Sequence, residues 1–139
     1  MTPLVGFILF LVVTLAFLGA TVATGLKAHR KAHLRYVVGS IVSLGIAVYY
    51  AEKLGETLDL ESAGKIYPIH LVLAKTAVAA YLLPVISGIR TLRNPAGKTL
   101  HRRIAFLVLG LTVLTAITGV WMVIACEPLE PPIRLEGGA

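Results

Sequence analysis

Four histidines and one lysine set among apolar residues are the groups in this chain able to do chemistry. His29 and His33 are four residues apart. On a helix they project from one face about 6 Å apart, close enough to share a metal ion or bracket a haem propionate. His101 opens a later apolar run on the same side, so His29, His33 and His101 together offer three imidazoles at one depth. Three imidazoles with an open position suit zinc, copper or iron. The same residues equally fit a basic interface belt beside Lys31, Arg35 and Arg102, whose charge repels a divalent ion unless anionic ligands or propionates offset it.

His70, in Tyr67-Pro68-Ile69-His70, stands at the opposite end of its segment, roughly 30 Å from that segment's basic end at 1.5 Å per residue. It therefore shares no metal with His101. His70, with Tyr67 beside it, is a candidate for a separate haem or a quinone headgroup, or for a hydrogen bond to a backbone carbonyl. Lys75 lies five residues deeper, where an unpaired ammonium costs on the order of 3 kcal/mol. The expected partner of this intramembrane charge is Glu52 or Glu56, or a carboxylate of another subunit; the alternative is a lysine reaching outward between helices. The chain has no phosphate-binding glycine loop, no nucleophile elbow and no intramembrane carboxylate pair, which argues against a hydrolase and against any catalytic residue. The single cysteine, Cys126, excludes an intramolecular disulfide framework.

The elements that must position these residues follow from composition. Of 139 residues, 57% are hydrophobic, and the mean hydropathy is +0.85, well beyond the apolar content of a soluble domain. Four apolar runs, 4–23, 34–51, 66–89 and 104–126, are each near the roughly 20 residues that span a hydrocarbon core. The fold class is all-α: an integral membrane four-helix bundle over residues 1–126, followed by a Pro/Gly-containing tail, 127–139. The first run lacks a basic leader and is too long for a signal peptide, so it reads as an uncleaved helix. Gly25 is expected to end the first helix, Asn94-Pro95-Ala96-Gly97 marks a turn between the third and fourth, and Pro84 should kink the third. The second connection, 52–65, is polar and long enough for a surface helical turn. The tail prolines forbid further helix, and the tail is expected to lie extended on the outer surface or docked on a partner.

The net charge of +6 flanks apolar segments and forms no aromatic-interleaved stripe, which argues against nucleic acid. Lys27, Arg30, Lys31 and Arg35 join the first two helices, and Arg90, Arg93, Lys98, Arg102 and Arg103 the last two, whereas all seven acidic residues fall on the opposite side. The positive-inside rule makes the basic side cytoplasmic and leaves both termini on the outer face of a bacterial-type inner membrane. His29-Arg30-Lys31 and His101-Arg102-Arg103 open helices two and four alike, so two duplicated helical hairpins are expected. Gly39, Gly45, Gly110 and Gly119 are expected to let helices approach closely.

His29-Arg30, Tyr67-x-x-His70-Leu71, Pro84, His101-Arg102 and Thr118-Gly119-Val120, within residues 27–123, resemble the CtaM/YozB-like family of four-helix membrane proteins linked to maturation of haem-copper terminal oxidases. The resemblance implies a respiratory accessory protein, working in assembly or as a subunit, with larger membrane respiratory subunits as partners. It also implies that His29, His70 and His101 are the functional set. His33 and Lys75 lie outside the family pattern. The competing expectations are a b-type cytochrome passing electrons between haem b and quinone, and a purely structural subunit.

Overall fold

The computed structural model describes residues 1–129. Helix α1 spans Pro3–Leu26, α2 Arg30–Gly55, α3 Ile66–Ala80, α4 Leu82–Arg93 and α5 Lys98–Ala125. Together α3 and α4 make one span, so four helical segments of 24, 26, 28 and 31 residues are long and apolar enough to cross a membrane. The break at Tyr81 falls where Pro84 predicts it: proline has no N–H to offer the Ala80 carbonyl, and its ring crowds that oxygen.

The core has the composition of a helix bundle in lipid. Large apolar side chains such as Val12, Val38, Val72, Leu107 and Ile124 point outward, while the most enclosed residues include Thr14, Ser40, Ser43, Thr112 and Thr118. Small hydroxyl residues allow close backbone approach, and each can return its proton to a carbonyl one turn back. Thr14 donates to Phe10 O at 2.7 Å and Thr112 to Val108 O at 2.8 Å. The same hydroxyls join helices. Thr14 and Ser43 oxygens are 3.0 Å apart between α1 and α2, and Thr112 meets Tyr81 Oη at 3.3 Å.

The chain folds as two hairpins, α1–α2 and α3/α4–α5, each tightly paired internally. Backbone contact across the seam between them is sparse and gathers at the end that carries the acidic second connection. There a 3₁₀ turn, Leu60–Ala63, confirms the surface turn expected in the second connection, and β1, Leu58–Asp59, pairs antiparallel with β2, Glu127–Pro128. Glu127 N–H donates to Ser62 Oγ at 2.8 Å and Leu129 N–H to Thr57 O at 3.1 Å. The start of the tail is thus docked on the chain's own connection; residues 130–139 lie outside the described residues.

Three local expectations change. Gly25 lies inside α1, which runs on to Leu26, and the reversal is made by Ala28 at φ 57°, an uncommon left-handed position for a residue with a side chain. Gly39 and Gly119 do admit neighbours, Phe17 and His70 respectively, but a Cβ added at Gly45 or Gly110 would meet nothing within 4 Å. Glu56 pairs with Lys53 at 2.9 Å and not with Lys75, whose side chain faces out of the bundle about 13 Å along the span from Ile66. The turn at Asn94 forms as expected, its side chain accepting from Ala96 N–H at 3.0 Å.

Candidate functional site between the hairpins

The His33 and His101 rings meet across the seam with centroids 6.5 Å apart and planes at 89°. The hairpin that carries each ring holds it by the same device. His33 Nδ1 lies 2.9 Å from the Thr21 carbonyl oxygen. A carbonyl only accepts, so the proton sits on Nδ1 and Nε2 keeps its lone pair. His101 Nδ1 lies 3.0 Å from Ser87 Oγ, which can pass its own proton to Pro84 O at 3.3 Å. A hydrogen bond at Nδ1 that fixes tautomer and ring orientation is the usual support of a metal-ligating histidine.

Glycine makes room for both rings. A Cβ on Gly25 would sit 3.1 Å from His33 Cε1, and one on Gly88 3.2 Å from His101 Cε1. The two hairpins are thus alike in setting a glycine, Gly25 or Gly88, against the ring of His33 or His101. His29 is the exposed residue before α2, and its side chain makes no capping bond. Gly25 and Gly88 were visible in the sequence, but they stand at different distances from the histidines, about eight residues before His33 and about thirteen before His101, so spacing did not link them.

Between the hairpins lies a cavity of about 100 Å³ lined by Thr21, His33, Ser40, Tyr81, His101 and apolar neighbours from all four spans. Its walls reach Ile41 on α2 and Leu109 on α5, each eight residues beyond the histidine, so it runs about 12 Å along the bundle axis. Thr21 Oγ1, on this wall, is the one buried side-chain polar atom without a hydrogen-bond partner among the described residues.

The other candidates are placed apart. Among the described residues no three His, Cys, Asp or Glu side chains come together in a metal-binding group, so the structure assembles a pair of imidazoles and not the triad of His29, His33 and His101. His70, half-buried toward the acidic end, bonds through Nδ1 to Thr118 Oγ1 at 3.1 Å across the α3–α5 contact, with its ring against Gly119. Its partner is thus a threonine hydroxyl, while Tyr67, in the first turn of α3, has its N–H on the Gly64 carbonyl at 3.2 Å. Beside the β1–β2 pair, burial and the Asp59 carboxylate push the Cys126 thiol above its ordinary pKa.

Comparison of the chain with models of protein families, with curated proteins and with solved structures gave no match.

Proposed function

We propose that this chain is a small membrane accessory protein of a respiratory chain that holds a b-type haem between its hairpins, with His33 and His101 as axial ligands. The meeting of two imidazoles across the seam, each with Nδ1 committed and Nε2 free, carries the reading. A bare divalent ion fits less well. It would have two protein ligands, no carboxylate, and the cations of the helix ends nearby. Haem brings propionates that those cations can pair with, and an apolar body that suits the walls below the imidazoles. When bound, it would supply a one-electron couple; the chain's residues bind it, orient it and exclude water.

The cavity is smaller than the roughly 300 Å³ at which ordinary ligand pockets begin, so binding requires the hairpins to part. Sparse backbone contact across the seam favours that motion. The same small volume favours a second reading, an assembly factor for a haem-copper oxidase that carries no resident haem, in line with the CtaM/YozB-like resemblance. The basic end is taken as cytoplasmic by the positive-inside rule, with the N-terminus on the outer face.

A reduced-minus-oxidised spectrum of the purified, haem-supplied protein tests the haem reading. A b-type band should be present in wild type and in His29→Ala and His70→Ala, and be lost in His33→Ala and in His101→Ala. A protein that takes up no haem refutes the cytochrome. In that case, loss of terminal oxidase activity in His101→Ala membranes, with upstream dehydrogenases intact, supports the assembly reading.

A further inference from the structure

On the outside of α5, away from the seam, Thr99, Arg102, Arg103, Phe106 and Leu107 line an open groove of about 630 Å³. Their spacing places them on one helix face. Arginine near a membrane boundary ordinarily reaches toward water. Arg102 is held against its own helix: its guanidinium lies 5.8 Å from the centre of the ring of Phe106, the residue one turn deeper in the span. This charge finds no counter-ion in its own hairpin. The sequence has no Asp or Glu from Met1 to Ala51 or from Ser62 to Cys126, and the ion pair among the described residues is Lys53–Glu56, at the other end of the bundle. Immediately below the two guanidiniums, Leu107 is 75% exposed and Phe106 45%.

We infer that this face of α5 binds an anionic phospholipid, its phosphate between Arg102 and Arg103 and its acyl chains along Phe106 and Leu107. The occupant follows from the two halves of the groove. Two guanidiniums without a carboxylate partner among the described residues call for an anion, and the apolar surface directly beneath them calls for a hydrocarbon tail on that anion. Phe106 keeps Arg102 at headgroup depth through the ring face. The site stands apart from the histidine pair and does not depend on the haem reading.

The test is binding of phosphatidylglycerol to the purified full-length protein, titrated in mixed micelles and read by native mass spectrometry, with phosphatidylcholine and inorganic phosphate as the comparison ligands. Each basic residue at an anionic surface is worth roughly fivefold in affinity. Arg102→Gln with Arg103→Gln should therefore weaken phosphatidylglycerol binding by roughly 25-fold, and Arg102→Lys with Arg103→Lys should restore most of it. Phe106→Ala keeps both charges and should weaken binding about threefold. Lys27→Gln with Lys31→Gln, at the other hairpin, should change it less than twofold. Equal binding of phosphatidylcholine, full competition by inorganic phosphate, or unchanged affinity in the double glutamine variant overturns the inference. Lipid-free dimers that dissociate in the double glutamine variant would instead assign the face to a second copy of the chain.

Discussion

Replacing Gly119 with alanine should destabilise the second hairpin, and Gly110 on the same helix supplies the control. A Cβ at Gly119 would stand 2.8 Å from His70 Cε1, closer than real Cβ contacts allow, whereas a Cβ at Gly110 meets nothing within 4 Å. Alanine gains about 0.5–1 kcal/mol over glycine inside a helix, and that gain cancels when the two variants are compared. What remains is the cost of admitting the methyl group. Either the His70 ring turns aside and gives up its 3.1 Å bond to Thr118, a loss of about 0.6 kcal/mol for a polar contact between membrane helices, or α3 and α5 separate, which as overpacking costs about 1–3 kcal/mol. Gly119→Ala should thus be about 0.6–3 kcal/mol less stable than Gly110→Ala in equilibrium unfolding in mixed micelles. His70→Ala, which empties the space beside Gly119, should shrink that difference toward zero. Equal stability of the two glycine variants in the wild-type background would refute the close packing of His70 on α5.

Thr14→Val should lower stability by about 0.6–1.7 kcal/mol in the same assay, because it removes the hydroxyl facing Ser43 at 3.0 Å; no change would mean that the α1–α2 pair relies on shape alone. Lys75→Leu should raise the stability of the isolated protein, by up to about 3 kcal/mol, since Lys75 faces outward within an apolar span. A loss would show an ion pair within the chain. Cys126 should react with an impermeant maleimide added outside intact spheroplasts; labelling only from the cytoplasmic side would invert the topology. Burial, then the Asp59 charge, raises the thiol pKa. Less thiolate is therefore present at neutral pH, so labelling should quicken as pH rises through the thiol range, and Asp59→Asn should quicken it at fixed pH.

The sequence by itself determined the membrane character of the chain, the number of spans, the break at Pro84 and the turn at Asn94, because span length and proline geometry are local properties. Which side of each helix faces inward was not legible. In a soluble helix a polar face against an apolar one declares the core, but lipid is as apolar as a protein interior, so Val72 outside and Ala77 inside read alike. For that reason Gly45 and Gly119 looked equivalent, and Glu56 was offered to Lys75 although it pairs with Lys53. The candidate site was half legible. His33 and His101 were visible as imidazoles at one depth, but the sequence did not choose between His33 and His29, one turn away, as the neighbour of His101. The tertiary structure decided in favour of His33: Gly25 opens space for its ring and the Thr21 carbonyl holds it across a turn whose reversal falls at Ala28. That choice depends on how α1 and α2 pack together, and no spacing within α2 contains it.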